Sequence, residues 1–164
     1  FLIVATCFVF GCKSKPKIED TQTTTTVAAA DGSTAQIDSS ALNFSTAGSD
    51  SNSIAGLSTI RFEYDKATLS AEEQAKLEAN AAWLKQNSAL KLLIEGHCDQ
   101  RGSSEYNLSL GERRANTVKK MLTDLGVSPD RLKTTSFGKE KPVANGESEE
   151  DMSRNRRANF VPTK

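Results

Sequence analysis

His97, Cys98 and Asp99 stand side by side, with Arg101 two residues on and Arg113 and Arg114 further along. A thiol beside an imidazole and a carboxylate supplies the groups used in nucleophilic catalysis. Successive residues of an extended strand point to opposite faces, however, so His97 and Cys98 should not meet. The chain holds one histidine, which leaves no second imidazole to act as a base or a metal ligand. Catalysis, a bound metal and an organic cofactor are therefore not expected. The remaining chemistry is recognition of charge. A guanidinium offers a planar fork to a carboxylate, and a carboxylate accepts an ammonium.

The elements around these residues would bring them together. The apolar run KLLIEG reads as a strand, HCDQRGSS as a short polar loop, and YNLSLGERRANTVKKML as a helix. Ligands in α/β sheets sit outside the carboxyl ends of strands and beside helix N-termini. At about 100° per residue, Asn107, Leu110 and Arg114 fall within about 60° of one another. The core stripe of the helix is Ala115, Val118, Leu122 and Leu125, a helical spacing. Arg114 lies at the edge of that stripe, whereas Arg113 turns toward solvent. A half-buried guanidinium needs an anionic partner, because an unpaired buried charge is costly. The residues alone leave two readings. Asp99 and Arg114 pair with each other, or Asp99 takes the ammonium and Arg114 the carboxylate of a zwitterionic ligand.

The same stretch resembles the OmpA-like peptidoglycan-binding domain. The family pattern N-x2-L-S-x2-R-A-x2-V-x3-L is met by Asn107, Leu110, Arg114, Ala115, Val118 and Leu122, with Gly111 where many members carry Ser. EGHCDQRG, YNLSLGERRAN and FGKEKP resemble the peptidoglycan-associated lipoprotein (Pal) branch, where the first run usually reads EGHADERG. The likeness covers residues 58–162. It implies a two-layer α/β sandwich, a mixed four-stranded sheet with the helices on one side. It also implies a ligand: the peptidoglycan stem peptide, whose diaminopimelate side chain ends in a zwitterion. Carried over residue by residue, Asp99 and Arg114 would clamp that end. Asn107 and Leu110 would shape the pocket, with Arg101, Asp65 and Tyr64 beside it. The Asn155-Arg156-Arg157 segment would help hold the loop of the site. The resemblance further implies TolB and the Tol machinery as partners, in tying the outer membrane to the wall during envelope constriction. A rival of another class is an adhesin or protein-interaction subunit with a degenerate wall site. The intact pattern from Asn107 to Leu122 speaks against it.

Lys plus Arg and Asp plus Glu each number 21 in 164 residues, so the formal net charge is zero. That balance gives no reason to expect nucleic acid or an acidic membrane face as partner. Residues 1–11, FLIVATCFVFG, form an apolar run shorter than the roughly 20 residues that span a bilayer. The run reads as the apolar part of a secretion signal. Cys12, after Val9, Phe10 and Gly11, resembles the lipidated cysteine of a bacterial lipobox, although Phe10 is larger than the usual residue. Lys13, rather than Asp, favours the outer membrane, lipid-anchored and facing the periplasm. Several acyl chains make a stable anchor. Cys98 is then left unpaired in an oxidising compartment, either as a reactive thiol or as a buried residue.

Residues 12–56 comprise that cysteine and a Ser/Thr/Ala-rich stretch with too few large apolar residues to offset ordering entropy. It reads as a tether, averaging roughly 35 Å end to end and reaching roughly 130 Å when extended. Docking of part of it, such as ALNF at 41–44, is the alternative. The folded domain is expected over 57–164. STIRFEY alternates as a strand. Ser70 and Glu73 read as a capping box opening a helix with Leu77, Ala81 and Leu84 on one face and Trp83 packing beside it. Gly126 caps the central helix, RLKTTSFG reads as a strand, KEKPVANGESEEDMS as a polar loop, and the end of SRNRRANFV as a last strand. Arg154, Arg156 and Arg157 read from composition as a solvated cluster beside Glu147, Glu149, Glu150 and Asp151.

Overall fold

Ser70, Ser103 and Ser148 each accept a hydrogen bond from the backbone N–H three residues on. The first N–H groups of a helix have no intrahelical partner, so these serines fix where three helices begin. The helices are α1 (Ala71–Gln86), α2 (Ser104–Asp124) and α3 (Glu149–Asn155). The strands are β1 (Ile60–Arg61), β2 (Lys91–His97), β3 (Leu132–Gly138) and β4 (Arg157–Thr163). The structure, a computed structural model, describes residues 48–52 and 54–163. The expected signal segment, Cys12 and the ALNF stretch lie outside the described residues.

The strands form one mixed sheet in the order β1-β4-β2-β3. β2 runs parallel to β3, while β4 is antiparallel to both β2 and β1. Ile60, Leu92, Ile94, Ala158 and Phe160 share one core with Leu77, Ala81 and Leu84 of α1 and Ala115, Val118 and Leu122 of α2. Both long helices therefore cover the same sheet face, giving the expected two-layer α/β arrangement. α2 comes nearest the sheet at two glycines. A Cβ on Gly96 would fall 1.9 Å from the Gly111 carbonyl oxygen, and one on Gly111 would fall 2.3 Å from Ser136 Oγ. That close approach explains why Gly111, rather than Ser, suits this chain. Among the described residues no helix is long and apolar enough to cross a membrane.

Four local expectations change. The strand expected over STIRFEY is two residues long; Ile60 and Phe62 are buried, but Tyr64 is 55% exposed and the chain turns at Asp65, whose φ is 55°. Glu73 does not close a reciprocal capping box; its carboxylate instead accepts the Arg61 N–H at 2.8 Å, tying α1 to β1. The expected polar loop before β4 carries α3, begun by Ser148 with three acidic residues in its first turn. Residues 48–52 and 54–56, expected in the tether, pack on the domain. Ser49 Oγ and the Asp50 N–H donate to Asn159 Oδ1, and Asp50 pairs with Arg157 at 3.0 Å. Ile54 packs against the core. Asn159 and Arg157 are buried polar groups of β4, and buried polar groups require partners; this upstream segment supplies them.

Candidate functional site

The loop after β2 is fixed at both ends. The Cys98 N–H donates to the Gly138 carbonyl at 2.8 Å, continuing the β2–β3 pairing past a register shift at Gly96/His97. Gly138, at φ 50°, lets the Leu108 backbone approach; a Cβ there would sit 2.9 Å from Leu108 N. Ser136 Oγ donates to the Leu108 carbonyl at 2.7 Å. The start of α2 is thereby fastened to the end of β3. Asn107 Nδ2 then donates to the carbonyls of Arg101 at 2.7 Å and Ser103 at 3.0 Å, closing the loop.

Tyr64, Asp65, Asp99, Arg101, Asn107, Leu110 and Arg114 all line a single cleft of about 110 Å³. Ligand pockets for drug-sized molecules run to about 300–1,000 Å³, so this cleft suits only the end of a side chain. Arg156, Tyr106 and Cys98 complete its walls.

Arg114 is 1% exposed. Its Nε donates to the Lys66 carbonyl at 2.9 Å and its Nη2 to that of Glu63 at 3.1 Å. Its Nη1 donates to the His97 carbonyl at 2.8 Å and to Cys98 Sγ at 3.4 Å. A guanidinium carries five N–H donors. These four bonds leave one proton on Nη2 without an acceptor among the described residues. The two-pronged grip expected for Arg114 is therefore reduced to one prong, because the other donors hold the backbone of three segments together. Burial pulls the Arg114 pKa down from its ordinary value, partly offset by the neighbouring Cys98 and Asp99.

Asp99 is 4% exposed and does not pair with Arg114. Its Oδ2 accepts Arg101 Nη2 at 2.5 Å and Arg156 Nη1 at 3.1 Å, and its Oδ1 accepts the Arg101 N–H at 3.2 Å. Burial opposes ionisation of Asp99, but the hydrogen bonds from Arg101 and Arg156 outweigh it and hold the carboxyl below the usual range. Each carboxylate oxygen has two lone-pair sites, so Oδ1 retains capacity for a further donor. Composition places Arg156 in a solvated cluster, whereas the resemblance places its segment against the loop of the site, and the structure has the second arrangement. Arg156 is 6% exposed, and besides Asp99 it binds the Phe62 carbonyl at 3.1 Å and Glu149 at 2.7 Å. Its position at the junction of α3 and β4, opposite Phe62, brings it there.

The rim is aromatic. The Arg101 guanidinium lies 3.9 Å from the Tyr64 ring centroid. The Tyr106 hydroxyl donates to Asp65, which pushes the phenol pKa up. Three arginines face two aspartates around the cleft, charges of both signs suited to an anion beside a cation.

His97 and Cys98 form no dyad. His97 stacks on Phe137 at 5.6 Å between centroids, and its Nε2 lies 3.6 Å from a Glu95 carboxylate oxygen, beyond hydrogen-bond distance, which opposes the effect of burial on its pKa. Burial lowers its pKa. Cys98 Sγ donates to the Asn107 carbonyl at 3.3 Å, and burial pushes the thiol pKa up. Among the described residues no group of three His, Cys, Asp or Glu side chains is placed to hold a metal.

The OmpA family profile matches residues 61–156, a segment that contains every residue lining the cleft. The chain belongs to the OmpA family. It is similar to the peptidoglycan-associated lipoprotein of Pseudomonas aeruginosa, 44% identical over 109 residues, which are 66% of this chain and 64% of that protein. The corresponding protein of Haemophilus influenzae is 45% identical over 100 residues, 61% of this chain and 65% of that one. This OmpA-family chain thus matches just under two thirds of the length of those relatives. The crystal structure of the peptidoglycan-associated lipoprotein from Burkholderia pseudomallei aligns with a TM-score of 0.62 at 41% identity, covering 64% of this chain and 89% of that one. The C-terminal domain of Helicobacter pylori MotB shares the OmpA-family fold, with a TM-score of 0.62 at 22% identity over 66% of this chain and 86% of that one.

Proposed function

We propose that this chain binds peptidoglycan non-covalently, with the zwitterionic end of a diaminopimelate side chain seated in the cleft. The observation that carries this reading is the convergence of Asp99 and Arg114 on one small buried cleft, each with a hydrogen-bonding position left over. The Asp99 Oδ1 atom accepts the ammonium. The remaining Arg114 Nη2 proton binds the carboxylate, with Arg101 beside it. Asn107 and Leu110 shape the floor, and Tyr64 and Asp65 form the rim. The relatives are named for association with peptidoglycan, which supports a wall ligand. With Cys12 lipidated, residues 13–47 would leash the domain to the outer membrane on its periplasmic side. The protein then ties that membrane to the wall, with TolB and the Tol machinery as partners during envelope constriction.

The test is co-sedimentation of the full chain with purified peptidoglycan sacculi. The native chain should pellet. Asp99→Asn, which keeps the shape and removes the charge, should stay in solution while retaining a native circular dichroism spectrum. Equal pelleting of a folded Asp99→Asn chain would remove Asp99 from the site.

A further inference from the structure

The run FGKEKP, residues 137–142, contributes no residue to the lining of the cleft, yet the cleft loop is built against it. The Glu140 N–H donates to the Phe137 carbonyl at 2.9 Å, closing a turn at the end of β3. The turn is anchored, because the Phe137 ring stacks on buried His97 and carries the Lys141 ammonium 3.5 Å from its centroid. β2 and β3 are parallel neighbours, so the segments leaving their carboxyl ends lie side by side. Three bonds join those segments. Gln100 Nε2 donates to the Lys139 carbonyl at 3.2 Å, Lys139 Nζ to the Gly102 carbonyl at 2.8 Å, and Ser104 Oγ to Glu140 at 3.2 Å.

The bond from Lys139 is the one that bears on the site. Asp99 Oδ1 accepts the Arg101 N–H, so the direction of that carboxylate depends on the Arg101 backbone. Asn107 Nδ2 holds the Arg101 carbonyl from the helix side. The next carbonyl, that of Gly102, is held from the β3 side by Lys139. Gly102 has φ 88° and no side chain to restrict it, so the loop is most easily deformed there. Lys139 is half-buried, and among the described residues its ammonium pairs with no carboxylate. Its charge is therefore not consumed elsewhere.

We infer that Lys139 is a positioning residue for the cleft: it fixes the Gly102 peptide and thereby keeps Asp99 Oδ1 turned to the place of the ligand's ammonium. The inference rests on the peptidoglycan reading for its ligand, but the hold on the loop is measurable without one. Lys139 acts through the backbone. A residue that keeps a long cationic donor should serve in its place, and one that keeps only the length should not.

The experiment compares the full native chain with Lys139→Met and Lys139→Arg, each retaining the native circular dichroism spectrum. Calorimetric titration with a diaminopimelate tripeptide reads binding. Lys139→Met should bind about two- to tenfold more weakly, the range of one net hydrogen bond, and Lys139→Arg should bind as the native chain does. The loss should persist in about 1 M salt, where charges act over only about 3 Å. A loss that disappears there would mean that Lys139 acts as a distant charge, and equal losses in both variants would mean that the donor is irrelevant; either result overturns the inference. Amide exchange of the ligand-free chain, followed by NMR, reads the loop directly. The Arg101 N–H should exchange faster in Lys139→Met than in the native chain and Lys139→Arg. Native exchange at Arg101 in Lys139→Met would overturn the positioning role whatever the chain binds. Failure of the native chain to bind the tripeptide, with faster exchange in Lys139→Met, would refute the peptidoglycan reading and leave the hold on the loop standing.

Discussion

Arg114 holds the backbone of segments that lie far apart in sequence, and removing it should loosen them. In Arg114→Ala the carbonyls of Glu63, Lys66 and His97 lose their donor. A buried polar group left without a partner costs about 1–3 kcal/mol. Relief from burying a charge offsets part of that sum, and water entering the cleft offsets more. The net loss should be about 3–5 kcal/mol, the low end of three such losses taken together. Small domains lose about 1–3 kcal/mol per molar urea, so the unfolding midpoint should fall by about 2 M. Arg114→Lys keeps the charge but cannot span three carbonyls with one ammonium, and it should recover less than half of the loss. Urea unfolding followed by circular dichroism reads all three chains. A loss below about 1 kcal/mol in Arg114→Ala would refute the claim that this guanidinium fastens the segments after β1 and β2 to α2.

Other consequences are measurable in the same way. Gly96→Ala should lower stability by about 1–3 kcal/mol, the cost of overpacking, because its Cβ would meet the Gly111 backbone, which cannot swing aside as a side chain can; thermal unfolding checks this. A chain beginning at residue 57 should unfold at lower urea than one beginning at residue 48, since it strands Arg157 and Asn159. Burial lowers the His97 pKa below its ordinary 6.5. The unfolded chain therefore binds that proton more readily, so stability should fall as pH drops below about 6.5 and level off above it. His97→Phe should flatten that slope in urea titrations across pH. Cys98, buried and hydrogen-bonded, should resist iodoacetamide in the native chain and react promptly in urea.

What the sequence revealed and what it hid follow from where each partner sits. Asp99, Asn107, Leu110 and Arg114 were legible because strand, loop and helix are consecutive, so spacing alone brings them together. The partners of Arg114 were not legible. They are backbone carbonyls; Asp65-Lys66 marks a break after the first strand, but residue types do not say which way the carbonyls on either side of it point. Arg156 was read with the acidic residues next to it in sequence. Only Glu149 among them binds it, while Asp99 and the Phe62 carbonyl come from other elements. Ser49 and Asp50 sat in a stretch poor in apolar residues, and that composition gave no sign of folding. They are ordered by hydrogen bonds to Asn159 and Arg157 near the other end of the chain.

The donor count at Arg114 also sets what the cleft should reject. Its remaining Nη2 proton belongs to a buried side chain of the cleft, and a ligand that supplies an ammonium without a carboxylate covers that proton while leaving it unpaired. A site built to pair a polar group discriminates strongly against an analogue lacking it. Lysine side chains end in an ammonium alone, whereas diaminopimelate ends in both charges. Peptides with lysine at that position should therefore bind about 10–100-fold more weakly, the equivalent of one buried unsatisfied donor at about 1–3 kcal/mol. Simple carboxylates should bind weakly for the opposite reason, because they leave the free Asp99 Oδ1 position without its ammonium. Competition against sacculus binding by matched diaminopimelate and lysine tripeptides measures the difference. Equal competition would mean that no group of the cleft reads the carboxylate and that Arg114 serves the backbone only.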